Sequence, residues 1–189
     1  MKSLAKRFSP SATDLLRSDH TRVVALFHRY GAELSPRIKR GLVESVCLML
    51  EIHASVEEEI FYPAMRAVDT DLVEESAAEH DGMRTLIGAL RGMDAGSVDY
   101  DETFFRLMRA VLHHVADEET RLFPDAERLF PEDLPRLGAQ MAKRRLELGT
   151  PRLAEMARSA ARKVPISGML AAAAGVLAGA LIYRQALRR

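Results

Sequence analysis

Tryptophan is absent from the 189 residues, cysteine occurs once, and aromatic residues make up only 6%. One thiol, Cys47, builds neither a disulfide framework nor a thiolate metal site. A free cysteine suits a reducing compartment. Its place in the apolar run Val46 to Leu50 marks it as core. Alternating runs of β-branched and aromatic residues are missing too, which excludes a sheet. The basic N-terminus, Met1 to Phe8, is followed by no apolar stretch, so no secretory signal is expected. Charge of one sign is not in excess, since 27 Lys and Arg balance 27 Asp and Glu.

That balance hides an asymmetry. Residues 141–189 hold ten Lys and Arg against two acids, leaving 17 against 25 in residues 1–140. An acidic body argues against nucleic-acid binding, and a basic tail points to an anionic surface such as lipid. Ile166 to Tyr183 is eighteen residues without a charge, although nine of them are Ala or Gly. At ~1.5 Å per residue it measures about 27 Å, near the thickness of a bilayer core. The expectation is a transmembrane or tail-anchor helix over 166–183, holding a cytoplasmic bundle to the inner membrane. Ala171, Gly175 and Gly179 recur every four residues and offer a close helix–helix contact for self-association. The tail is similar to the Gly/Ala-rich, Arg-ended tails of small ribosome- and membrane-associated bacterial proteins.

What is abundant is Leu, Ala, Glu and Arg, a helix-forming mixture. Ser11 to Ala32 reads as a first helix, with Ser11, Thr13 and Asp14 available as caps. Pro36 opens a long second helix that Pro63 is expected to close. Asp69 and Thr70 cap a third helix to about Arg91. After the turn-rich stretch Gly92 to Ser97, a fourth runs from about Asp99 to Phe123, with Pro124 as its stop. Pro131 to Asp133 starts a further helix, which Gly149–Thr150–Pro151 is expected to interrupt. The pattern predicts an all-α, up-down-up-down four-helix bundle with a C-terminal helical extension. Its expected divisions are a metal-binding bundle over 10–149, a basic linker helix over 150–165 and the tail over 166–183.

The chemistry lies in an internal repeat. His53-Ala-Ser-Val-Glu57-Glu58 leads to Pro63, and His114-Val-Ala-Asp-Glu118-Glu119 leads to Pro124, each Pro ten positions after its His. One acid–His pair precedes each copy, Asp19-His20 and Glu79-His80. Residues i and i+4 share a helix face, so His53 points with Glu57 and His114 with Glu118. Folding the two copies about a pseudo-twofold axis aims His20, His53, Glu57, His80, His114 and Glu118 at one interior point. Burying six such groups without a partner is costly. A pair of metal ions removes that cost, and imidazole with carboxylate suits iron, manganese or zinc. Glu57 and Glu118 are placed to bridge two ions.

The string Glu51-Ile52-His53 through Tyr62-Pro63, with its partner ending Leu122-Phe123-Pro124, resembles the hemerythrin HHE cation-binding domain over roughly residues 10–149. The resemblance implies two iron ions, carboxylate-bridged, on His20, His53, Glu57, His80, His114 and Glu118. It departs from the oxygen-carrying hemerythrins of marine invertebrates. Those carry His-x-x-x-His on the third helix, where His80 is here followed by Arg84, and they end in His-x-x-x-x-Asp rather than His114-x-x-x-Glu118. The four-His, two-Glu pattern is similar to a bacterial subgroup that includes iron–sulfur-cluster repair proteins.

His28 has no repeat mate, and His113 lies about 100° round the helix from His114, so neither is a ligand candidate. Glu59 reads as surface, while Glu58 and Glu119 stand open between contact with the site and solvent. The expected function is binding or sensing of O2, NO or peroxide. An enzyme of NO or peroxide detoxification or cluster repair, and an iron-homeostasis sensor, are the alternatives.

Overall fold

The computed structural model describes the backbone of residues 10–163 and side chains through residue 151. Its elements are α1 (Ala12–Phe27), α2 (Pro36–Val56), α3 (Tyr62–Met65), α4 (Thr70–Gly92), α5 (Val98–Asp117), α6 (Phe123–Leu129) and α7 (Leu134–Lys163). Two π-helical turns, Glu57–Phe61 and Glu118–Leu122, join α2 to α3 and α5 to α6. Helices α1, α2, α4 and α5 form an up-down bundle in which α1 packs on α2, α2 on α4 and α4 on α5. The chain divides at Leu146/Glu147 into two units, and the bundle described here belongs to the first.

Local signals set the helix starts. Ser11 accepts the Asp14 amide while the Asp14 carboxylate takes the Ser11 amide, a complete capping box. Asp69 accepts the Leu72 amide and Ser97 the Tyr100 amide. Helix α1 ends at Phe27, five residues short of the predicted Ala32. Bonds from the Arg29 and Tyr30 amides to carbonyls three residues back tighten the chain there. The turn delivers the Tyr30 hydroxyl to Asp101, which also holds the buried Lys39 ammonium at 2.7 Å.

Pro63 and Pro124 do not stop their helices, which continue to Met65 and Leu129. In each copy the residue before Pro donates its amide five residues back, Tyr62 to Glu57 and Phe123 to Glu118. That wider turn sits where an α-helix would clash with a proline ring, so helix direction survives at the cost of one regular bond. Helix α7 likewise runs through Pro151 rather than breaking at Gly149–Pro151.

The expected membrane anchor is corrected. No helix among the described residues is long and apolar enough to cross a membrane. The longest, α7, has the length but carries charges throughout its sequence, Lys143, Arg144, Arg145 and Glu147 among them. Residues 166–183, with Ala171, Gly175 and Gly179, lie outside the described residues.

Apolar side chains fill the bundle between α1, α2, α4 and α5, with Val23, Phe27, Val46, Leu50, Ile87, Phe104, Leu107 and Val111 in one cluster. Cys47 belongs to it and is free and buried, with its thiol pushed up to about 12 by burial and by Glu44. Gly138 lets α7 lie against the start of α1, since a Cβ there would stand 2.8 Å from the Ser11 carbonyl carbon.

Two outcomes follow for stability. Gly138→Ala must push backbone apart and should cost about 1–3 kcal/mol in denaturant unfolding. Burial opposes ionisation of Asp101, but the bonds from Lys39 and Tyr30 outweigh it and hold the carboxyl below its usual 3.8. Its contribution is therefore complete above pH 3.8 and disappears as pH falls through the lower folded value. Asp101→Asn strands the Lys39 charge, so it should lose about 3 kcal/mol at pH 7 and show a weaker acid dependence of melting.

Candidate metal centre

The bundle brings all six predicted groups to one place. His20 comes from α1, His53 from the last turn of α2, His80 from α4 and His114 from the last turn of α5. Glu57 and Glu118 open the two π-helical turns. Both carboxylates are fully buried and no histidine of the four is more than 6% exposed. His53 and His80 Nε2 lie 3.2 and 3.3 Å from Glu57 Oε2, and His20 and His114 Nε2 lie 3.4 and 3.5 Å from Glu118 Oε2. The Nε2 atoms of His80 and His114 are 3.1 Å apart.

Several of these atoms are near one another without being hydrogen-bonded. His20 Nε2, His53 Nε2, both Glu57 oxygens and Glu118 Oε2 are buried and have no hydrogen-bond partner. Orphaned buried donors and acceptors of this kind are rare in folded chains. Here they face common points, one among His20, His53, Glu57 and Glu118 and the other among Glu57, His80 and His114. The donor set suits first-row divalent metals, and Glu57 is common to both groups.

Three of the four opposite ring nitrogens are held from outside. His20 Nδ1 meets Glu119 at 2.8 Å, His80 Nδ1 meets Glu58 at 2.9 Å and His114 Nδ1 meets Glu79 at 2.9 Å, while Asp19 lies 3.5 Å from His53 Nδ1. The arrangement obeys the internal twofold, because Asp19 matches Glu79 and Glu58 matches Glu119. A carboxylate on Nδ1 keeps the proton there and turns the Nε2 lone pair inward. Three of the four carboxylates are themselves anchored: Arg84 forks both Glu58 oxygens at 2.6–2.7 Å, Arg145 bonds Asp19, and His113 bonds Glu79 at 3.0 Å.

The charges shape one another. Burial works against a charged His80, but the adjacent Glu57 carboxylate and the Glu58 carboxylate bonded to Nδ1 prevail and raise it to about 9. His20 is raised in the same way, against its burial, by Glu118. Burial also opposes ionisation of Glu57, yet His53 and His80 hold it far below the usual carboxylate range. Without a metal, protons on imidazole supply the positive charge that the carboxylates require, and metal binding must release them.

Above the centre sits an aromatic layer. Phe123 stacks on His20 and Tyr62 on His80, each at 5.7 Å, and Phe61 meets Phe123 edge-on. The Tyr62 hydroxyl donates to Glu118 Oε1 at 2.9 Å, whereas its repeat mate is Phe123, which has no hydroxyl. On the other side Val23, Leu50, Ala54, Met83, Ile87 and Val111 join the four histidines around a cavity of about 20 Å³. A space of that order admits one water-sized molecule.

Glu59 lies at the surface against Arg144, and His28 is exposed. Glu58 and Glu119, open in the sequence, contact histidine. The roles of Asp19 and Glu79 were signalled by the paired acid–His dipeptides. Nothing in the sequence signals Arg145, 126 residues from its partner Asp19.

Comparison with known proteins agrees with this geometry. An uncharacterized protein of Mycobacterium tuberculosis, Rv2633c, is 27% identical over 138 residues, which is 71% of this chain and 84% of that protein. A DNA nickase of Nostoc sp. is 27% identical over 114 residues, 58% of this chain, and the match spans only 32% of the nickase. The crystal structure of a hemerythrin HHE cation binding domain-containing protein from Mycobacterium kansasii shares the fold with a TM-score of 0.67 at 20% identity, over 78% of this chain and 92% of that one. The model of the hemerythrin HHE cation binding domain matches residues 11–126, well over half of the chain, and the chain belongs to that family.

Proposed function

We propose that the bundle is a non-haem di-iron protein that binds or senses a small oxidant or diatomic gas, O2, NO or peroxide. His20 and His53 would hold one ion and His80 and His114 the other, with Glu57 and Glu118 as the carboxylates available between them. The observation that carries this reading is the set of buried, orphaned Nε2 and carboxylate oxygens converging on two points beside an apolar cavity of about 20 Å³. An iron pair there would supply redox-active metal able to bind an outside ligand. The chain's own residues do the rest. Glu119, Glu58 and Glu79 fix the tautomers of His20, His80 and His114, and Asp19 lies 3.5 Å from His53 Nδ1. Val23, Ala54, Ile87 and Val111 keep bulk water out and admit only a molecule of a few atoms.

The first test is metal content and absorption of protein purified without oxygen and then exposed to air. About two irons per chain and new near-ultraviolet and visible bands are expected. One zinc, or no metal and no spectral change, overturns the di-iron reading. Glu57→Ala and Glu118→Ala should each lose the two-metal site while keeping the helical circular dichroism of the parent. A variant that still holds two ions removes that carboxylate from its bridging role.

The cavity is tested separately. Ala54→Leu places a larger side chain into the space beside the histidines without touching a proposed ligand. It should keep two irons per chain and slow the spectral change on exposure to air. An unaltered rate would mean that the ligand arrives by another route.

A further inference from the structure

Helix α5 turns Val98, Phe105 and Leu112 outward, 72%, 37% and 46% exposed. They are seven residues apart, so they form one line along the helix. The inward face of the same helix is complete without them, with Tyr100, Phe104, Leu107 and Val111 in the core. Large apolar groups in a row on an outer face mark a contact surface.

The internal repeat supplies a control. Sixty-one residues earlier, the offset that relates His53 to His114, the equivalent positions of α2 are Arg37, Glu44 and Glu51. Glu44 and Glu51 pair with Arg91 at 3.7 and 2.6 Å. The fold is therefore satisfied by charge at these places; on α5, Phe105 meets Tyr30 edge-on at 5.9 Å and leaves the rest of its ring outside, beside Val98 and Leu112.

The surrounding charges say what fits. Glu102 and Arg109 lie along the line itself, four residues after Val98 and Phe105, and Asp99 and Arg106 border it. All four are exposed, and none forms an ion pair with another described residue. Elsewhere on this surface pairing is usual, as in Arg84–Glu58, Arg91–Glu51 and Arg144–Glu59. The line is acidic in its N-terminal half and basic in its C-terminal half. A surface with that distribution is complementary to itself when reversed.

We propose that the outer face of α5 binds a second copy of this chain, antiparallel, about a twofold axis at Phe105. Val98 and Leu112 stand seven residues on either side of Phe105, so each meets the other across the axis. Phe105 packs on the partner's Phe105. Glu102, three residues before the axis, comes beside the partner's Arg109, four residues after it, and Arg109 beside the partner's Glu102. A parallel arrangement would set acid on acid and base on base. One patch on both copies closes the assembly at two subunits.

Sedimentation of the full-length protein over a range of concentrations tests this. The parent should show a monomer–dimer equilibrium. Phe105→Glu should abolish the dimer, and Glu102→Arg or Arg109→Glu alone should weaken it on the order of tenfold, since each creates two like-charge contacts. Mixing Glu102→Arg with Arg109→Glu should restore a dimer of parental strength, because both contacts are then complementary. All these positions are exposed, so helical content and metal content should not change, and those readings report folding independently of assembly. A parent that stays monomeric, a dimer that survives Phe105→Glu, or a mixture no stronger than its components overturns the proposal.

Discussion

Four imidazoles and two carboxylates meet inside a largely apolar bundle, and the rest of the architecture answers to that. Taking two carboxylates fully out of water costs several kcal/mol each unless positive charge lies beside them. The interior supplies it from histidine or from metal. The exterior supplies Asp19, Glu58, Glu79 and Glu119 behind the histidines, with Arg145, Arg84 and His113 behind three of those. Charge alternates in sign from the centre to the surface, so no layer stands uncompensated. Apolar packing on both sides then keeps water from relaxing the arrangement.

The duplication makes this economical. Each copy contributes one His from a first helix, and His-x-x-x-Glu from a second, with a π-helical turn at the Glu. The contacts outside the centre cross between copies: Glu58 of the first holds His80 of the second, and Glu119 of the second holds His20 of the first. Neither half is complete alone. The outer surface of the two copies has diverged, as α5 and α2 show, while the inner geometry has been kept.

Most of the fold was legible because its signals are local. Caps at Ser11 and Asp69, Pro36 at a helix start and the apolar periodicity define helices without reference to the rest of the chain. The repeat made the six inward groups legible too, since i and i+4 spacing fixes a face before any tertiary contact is known. What was misread depended on context. Pro63 and Pro124 are breakers in an α-helix, and only the π-helical turns that precede them let the helices continue. The length of α1 was overread because the break signal at Gly31 lies beyond the tight turn that aims Tyr30 at Asp101. The anchor rested on length and absence of charge in a stretch rich in Ala and Gly, and no described helix has the apolar length to cross a membrane. Arg145 on Asp19 depends on where α7 comes to lie, which the spacing of residues in one helix does not encode.

Twofold order in the centre is broken by one oxygen atom. Tyr62 gives Glu118 a hydrogen bond that Phe123 does not give Glu57. One carboxylate is thereby pinned through a single oxygen, while the other has both lone-pair sets free. A centre assembled from two equal halves therefore has a head and a tail. The two carboxylates are non-interchangeable, and that difference is set by the protein before anything binds.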